Sequence, residues 1–517
     1  MLKTRSSGQY KIVFALLLVG CCLLAVLAQS PAEDDNVCIT QRYRSGSSRF
    51  KAQARELAAK FPRETVKESL LRRHPGMSFA DQPELTTGME THFYVDRNGG
   101  EKRVKVPAIL KIIGTHCLIY LEKGRRVDEA KLKRMAQIFD KKVYPKTTAT
   151  FGSEWKPGID DDPRITLLLL SGMEDCDGYF YPADEYTEEN YPQSNQREML
   201  YLSINRLKDI EDFMEHLVAH EFQHMIHWFH DDNESYWVEE GLSEYAATLF
   251  NRVPWTAEQF FTRPDRNLLD WEDNQDAENY GHSFLFTDYL LNRPELSESA
   301  KIRLVREMVK NKASGIKGLN SALAKVSKKL DFEKIFRDFC VATHLYDCAG
   351  GRQIYSFSPL IKRALKKHPQ NIVEPRKRFA GMQGTAKGKV SMWSSCAYEF
   401  AMAQTPQRLQ LQFSGQTVTS ARNSFWIALI LTDRARKLTP EVRWLRASAN
   451  SLKTAVSIPA SNYDRLLLLI CNQGPAGYKD GDGRIPKAEF GFSLGLAKFS
   501  ELHRDVDIAP TSPSSAR

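Results

Sequence analysis

The 517-residue chain has nine cysteines but no CxxC pair, which excludes a zinc finger and a disulfide-dense miniature scaffold. It has little excess of charge. A formal +8 over this length implies no nucleic-acid partner. The basic clusters Lys362-Arg363, Lys366-Lys367 and Arg376-Lys377-Arg378 lack interleaved aromatics and read as a solvated linker. There is no long internal repeat, so a repeat architecture is not indicated. With 42% hydrophobic and 26% charged residues, the composition excludes a disordered or fibrous chain. At roughly 100 to 200 residues per domain, two or three domains are expected.

Near the start, Lys3, Arg5 and Lys11 precede the apolar run IVFALLLVGCCLLAVLA, which ends in Val26-Leu27-Ala28. This pattern predicts a secretory signal over residues 1–28, cut after Ala28, and so a secreted protein. Two other readings stay open: an uncleaved membrane anchor, the run being near the lower limit for spanning a bilayer, and lipid attachment at Cys21, since Leu18-Val19-Gly20-Cys21 resembles a bacterial lipobox. Cleavage lowers the charge from +8 to about +5. It leaves Cys38, Cys117, Cys176, Cys340, Cys348, Cys396 and Cys471. The odd count leaves at least one thiol unpaired or intermolecular, and Cys340 with Cys348 is the local candidate for a bridge.

Residues 29–103 are expected to be an N-terminal extension or a pro-segment, with a short amphipathic helix in RELAAKFPRETVKESLLRRHPG stopped by Pro75-Gly76. From Val104 two strands surround a Gly-Thr turn, and a helix follows in VDEAKLKRMAQIFDKKVYP, stopped by Pro145. PRITLLLLSG, DGYFYPADEY and REMLYLS read as further strands, and the chain is then mostly helical to about Ala349. Residues 353–387 read as a loop-like basic linker. Over 388–500, short apolar runs between turn signals predict an all-β sandwich that could carry a surface ligand. Residues 501–517 read as a disordered tail. DGDGRIP, beginning at Asp480, lacks the EF-hand spacing, so it reads as a plain turn and the need for Ca2+ stays open.

The chemistry concentrates in HLVAHEFQHMIHWFH, five histidines within fifteen residues from His216 to His230. His220-Glu221-Phe222-Gln223-His224 is an HExxH motif. Residues four apart lie about 40° apart around a helix and one turn along it, so two imidazoles can share one Zn2+. Glu221 then sits where a general base for metal-bound water belongs. Two candidates compete for the third ligand. His230 completes HExxHxxGxxH except that His227 stands where the pattern has glycine; if the helix continues, His230 is about 240° round from His224 and faces elsewhere. The other candidate lies in WVEEGLSEYAATLF, where Glu240 can bind metal and Glu244, one turn on, can orient a ligand histidine. By spacing alone Glu244 could be the ligand instead.

HEFQHM followed by WVEEGLSEYAA resembles the gluzincin arrangement and is similar to bacterial exported metallopeptidases of the hyicolysin and immune inhibitor A type. DPRITLLLL, GYFYPADEY, SNQREMLYLS and YGHSFLFTDYLL add to the likeness, which covers roughly residues 105–300, about one catalytic domain. The resemblance implies an α+β zincin-like domain over 104–352, ligands His220, His224 and Glu240, Glu221 as base and Glu244 behind a ligand histidine. NYGHSFLFTDYL resembles the gluzincin aminopeptidase helix whose leading tyrosine stabilises the oxyanion, which nominates Tyr280, with His282 as the alternative donor. It also implies an edge strand at Gly178, Tyr179, Phe180 and Tyr181 that binds an extended peptide by main-chain hydrogen bonds. The expected activity is hydrolysis of peptide bonds in a protein or peptide substrate. A non-catalytic binding or adhesion protein with a structural zincin domain is the alternative of a different class.

Overall fold

The segment ITLLLL, Ile165–Leu170, has no polar face because none of it meets water: all six residues are buried. It pairs in parallel with a neighbour on each side, the setting in which strands read as continuous apolar runs. The computed structural model describes residues 38–39, 42, 44–62, 84–97, 103–271, 276–346, 353–367, 371–402, 405, 407–417, 423–433, 435, 437–458, 462–474 and 487–496. The expected signal and lipobox, Cys348, DGDGRIP and the C-terminal tail lie outside them. Among the described residues no helix is long and apolar enough to cross a membrane.

Residues from Ile39 onward form one compact unit. Its first part is α+β. The strands β1 (Glu90–Val95), β2 (Val104–Ile113), β3 (Cys117–Glu122), β4 (Ile165–Leu170), β5 (Gly178–Phe180) and β6 (Met199–Ser203) form one sheet in the order β1-β2-β3-β4-β6-β5. β5 closes one edge, antiparallel to β6. β1 lies inside the segment read as an extension; its alternation ETHFYV was overshadowed by the charge around it.

Two local expectations are corrected. Pro145 does not stop its helix. A π turn over Phe139–Val143 runs directly into the helix Tyr144–Phe151, which continues through Pro145; the widened turn just before the proline is the local departure from α geometry that accompanies it. In the N-terminal segment the helix α1 spans Lys51–Lys60 and ends before Pro62, because the residue preceding a proline is driven out of the helical region; Phe61 has φ −130° and ψ 82°, and the expected stop at Pro75-Gly76 lies outside the described residues.

After β6, Asp209 accepts a hydrogen bond from the Asp212 N–H (3.0 Å) and opens a helical stretch. A π turn, Phe213–Val218, leads directly into α2, Ala219–His230. α2 is buried on all sides through Trp228, with Phe222 stacked on Tyr144 and tilted against Phe139. The helices α3 (Tyr236–Ala246), α4 (Ala277–Leu291), α5 (Gly315–Ala324) and α6 (Phe332–Leu345) follow. Gly241 lets α3 lie close on α4: a Cβ there would stand 2.4 Å from Thr287 Oγ1 and 2.9 Å from the Ser283 carbonyl oxygen.

The stretch read as a linker is not structureless. It holds the helix Pro359–Lys366, capped by Ser358, with Ile361, Ala364 and Leu365 buried, and the strand Lys377–Phe379. Beyond it lie two sheets. One joins Gly384–Val390, Ala488–Leu496, Gln407–Gly415 and Ser451–Ile458; the other joins Glu441–Arg446, Ser424–Thr432, Arg465–Gln473, Ser394–Ala401 and Lys377–Phe379. Pairing is antiparallel except at the last strand, and apolar residues of both sheets form one core. Trp393 wedges this region against α6, with its ring 4.8 Å from Phe332 and 5.3 Å from Phe336. The Cys340 thiol is free and hydrogen-bonds the Cys471 thiol across the same seam.

Candidate metal centre

α2 and α3 pack side by side, and three donor atoms meet between them. His220 Nε2 and His224 Nε2 are 3.0 Å apart; Glu240 Oε2 lies 3.4 Å from the first and 3.3 Å from the second. All three residues are buried, and among the described residues they form a group able to hold a metal ion. Donors about 2.0–2.1 Å from a tetrahedral ion stand roughly 3.3 Å apart, so the triangle fits Zn2+ without rearrangement. The two ring nitrogens face each other at 3.0 Å, across a position that a metal ion, or a proton carried by either ring, can fill.

The surroundings favour that charge. Burial opposes an imidazolium at His220, yet the Glu240 carboxylate and the charges of Glu221 and Glu244 outweigh it and push its pKa up to about 9. Burial likewise opposes a charged Glu240, but His224 and His220 hold it well below the usual carboxylate range. The centre attracts a cation, and without metal a proton serves.

The outer ring nitrogen of His224 is oriented as a ligand imidazole requires. His224 Nδ1 lies 3.1 Å from Glu239 Oε1 and 3.2 Å from Ser243 Oγ. His220 Nδ1 lies 3.9 Å from Glu244 Oε1, and Glu244 Oε2 accepts from Thr256 Oγ1 at 3.2 Å. Glu244 thus stands behind His220 rather than at the centre. Glu239 and Ser243 were missed in the sequence: WVEEG offers adjacent glutamates, and nothing local says that the first reaches His224.

Glu221 is fully buried. Its Oε2 accepts from Ser47 Oγ at 2.5 Å and from the Phe180 N–H at 3.2 Å, and Ser47 Oγ itself accepts from the Phe180 N–H at 2.7 Å. Glu221 Oε1 has no hydrogen-bond partner among the described residues. Ser47 arrives from 174 positions upstream, so no sequence spacing could have found it. Gly46 N–H donates to the Gly178 carbonyl (2.8 Å), Asp177 N–H donates to the Arg44 carbonyl (2.7 Å), and Ser45 bridges Gly178 in parallel. Gly178, Tyr179 and Phe180 are therefore an edge strand, and residues 44–47 already lie along its outer edge. α1 continues the segment, with Lys51 paired to Glu239.

The remaining residues separate. α2 runs unbroken to His230, which faces Gly152: a Cβ on that glycine would be 3.3 Å from His230 Nε2. His216 stands 3.6 Å from Glu244 Oε2. Tyr280 is buried in α4 with its ring 5.1 Å from Trp271, which stacks on Tyr236. His282 lies in the aromatic core between Phe260 and Phe339, where burial and the charge of Arg266 push its pKa down to about 3.

No family model and no curated protein matches the chain. Among solved structures, the chain is similar at 10% identity to Legionella pneumophila aminopeptidase A in complex with aspartic acid, over 73% of this chain and 37% of that one, with a TM-score of 0.29. It is similar at 10% identity to BtGH115A, a 4-O-methyl-alpha-glucuronidase of family GH115, over 66% of this chain and 53% of that one, with a TM-score of 0.15. The chain spans no more than about half the length of either, and at such TM-scores neither likeness bears on the site.

Proposed function

We propose that the chain is an exported zinc-dependent endopeptidase of gluzincin type, with a zincin-like catalytic domain followed by a β-sandwich. The observation that carries this reading is the convergence of His220 Nε2, His224 Nε2 and Glu240 Oε2 within 3.0–3.4 Å, with the buried Glu221 carboxylate on the same helix. A zinc ion held by these three residues would supply Lewis acidity, lowering the pKa of its water toward about 7 and polarising a carbonyl. Glu221 would take a proton at its carboxylate and pass it to the leaving amine. The Phe180 N–H, now on Ser47 and Glu221, would be released to bind substrate. Glu239 and Ser243 would fix the His224 ring, Glu244 the His220 ring. Tyr280 stays the candidate oxyanion donor.

Residues 44–47 pass along the edge strand as a continuous chain and go on into α1, which favours a site that accepts the middle of a polypeptide over one that captures a terminus. The same contacts favour the pro-segment reading: the chain's own backbone takes the place of a substrate strand. The metzincin alternative needs a break at His227, and the unbroken course of α2 speaks against it. A binding protein with a structural zincin domain would have no use for Glu221, and the sandwich is free to carry a surface ligand under either reading.

The test is casein hydrolysis by the purified protein, before and after limited proteolysis with the added protease then inhibited. Activity is expected to vanish with chelator, return with Zn2+ and be missing in Glu221→Ala. Equal activity in wild type, chelated protein and Glu221→Ala removes the peptidase reading.

A further inference from the structure

One turn beyond the HExxH pair, α2 carries a second cluster that the proposed hydrolysis does not use. His227 is fully buried, and among the described residues neither of its ring nitrogens has a hydrogen-bond partner. Asp231, whose N–H closes the helix on the His227 carbonyl (2.7 Å), is 3% exposed, and its Oδ2 is also without a partner. Glu234 is 2% exposed. A donor atom from each of the three lies within 4.8 Å of the others.

A buried imidazole without a hydrogen-bond partner is unfavourable, and two buried carboxylates beside it add to the cost. Sequence alone does not force this arrangement, since Asp231, Asp232 and Asn233 form a turn that could have left its acids in water. The backbone instead turns them inward. Asp231 Oδ1 accepts from the Asn233 N–H (3.2 Å), which leaves Oδ2 for the cluster. Glu234 Oε1 accepts from the Ser235 and Gly315 N–H groups, each at 2.6 Å, which pins the carboxylate at the start of α5. Arg55 of α1 donates to the Glu234 carbonyl, Lys51 pairs with Glu239, and the charges of Lys51 and Lys312 also reach the cluster.

We propose that His227, Asp231 and Glu234 form a second divalent-cation site, distinct from the one at His220, His224 and Glu240, that clamps the end of α2 and the turn after it to the start of α5. One nitrogen and two carboxylate donors suit Zn2+ or Mn2+ over Ca2+, which takes oxygen ligands. With an ion bound, the two carboxylates and a neutral imidazole would bring a charge of −2, which a divalent ion cancels. The site is independent of the hydrolytic reading, because a structural ion does not require an active Glu221.

The test counts metal in the full chain after equilibration with ZnCl2 and removal of free ion, and reads thermal midpoints with and without ZnCl2 or MnCl2. Wild type should hold two equivalents. Asp231→Asn, which keeps the side-chain shape, and His227→Ala should each hold one, and His220→Ala should hold the other one. Added metal should raise the midpoint of His220→Ala but not that of a His220→Ala, Asp231→Asn double variant. If His227→Ala does not fold, Asp231→Asn carries the count. Wild-type stoichiometry in Asp231→Asn, or a metal-free His220→Ala, overturns the second site. One equivalent lost in Asp231→Asn and none in His220→Ala instead leaves the second site standing and removes the catalytic one.

Discussion

The two clusters that α2 contributes to both combine histidine with carboxylates and differ in how their rings are held. At the first, each imidazole has an acid behind it, Glu239 on His224 and Glu244 on His220. At the second, His227 has nothing on either nitrogen among the described residues. An oriented imidazole fixes its tautomer and holds metal tightly; removing such support typically costs about 10- to 100-fold in affinity. The first cluster is thus held to one geometry, as the proposed catalysis would need, and the second would clamp segments together.

The largest effect should come from removing a ligand of the first cluster. His220→Ala or His224→Ala is expected to abolish hydrolysis, read as casein turnover, while leaving the second cluster's metal. Glu221→Gln, which keeps the ligands, should retain zinc and still lose about 10²- to 10⁴-fold in rate. Next comes Glu239→Gln. It is expected to weaken zinc about 10- to 100-fold in a competition titration, whereas no substitution behind His227 exists to be made.

Gly241→Ala would sharpen the comparison through packing alone. The added Cβ meets Thr287 Oγ1 and the Ser283 carbonyl, so α3 must move off α4, at about 1–3 kcal/mol. A lowered thermal midpoint with weaker zinc at the first cluster is expected, because Glu240 moves with α3. The smallest effect is at residues 44–47: Ser47→Ala removes one hydrogen bond to Glu221 and, at about 1 kcal/mol, should speed hydrolysis only several-fold. A slower Ser47→Ala variant would mean that Ser47 serves the reaction instead of occupying the edge strand in place of substrate.

Much of the centre is legible in the chain. His220 and His224 follow from helix periodicity, whereas Glu240 rests on the resemblance, since spacing alone left Glu244 and His230 open; Gly241 marks where α3 packs closely on α4. The paired acids at 239 and 240 resist assignment, since neighbouring positions differ only by how the helix is rotated. The course of residues 44–47 and the inward turn of Asp231 and Glu234 are long-range consequences of packing, with no local pattern. In the fold, continuous apolar runs such as Ile165–Leu170 and Arg465–Gln473 announce buried strands, whereas the charged stretch 353–387 hides a helix whose buried face is only Ile361, Ala364 and Leu365.

The most direct test of the central claim is the zinc affinity of Glu240→Gln and of His230→Ala, each measured in an Asp231→Asn background so that one cluster alone is counted. The account predicts that His230→Ala binds as tightly as its parent and that Glu240→Gln loses at least about tenfold. Parental affinity in Glu240→Gln with loss in His230→Ala would contradict it.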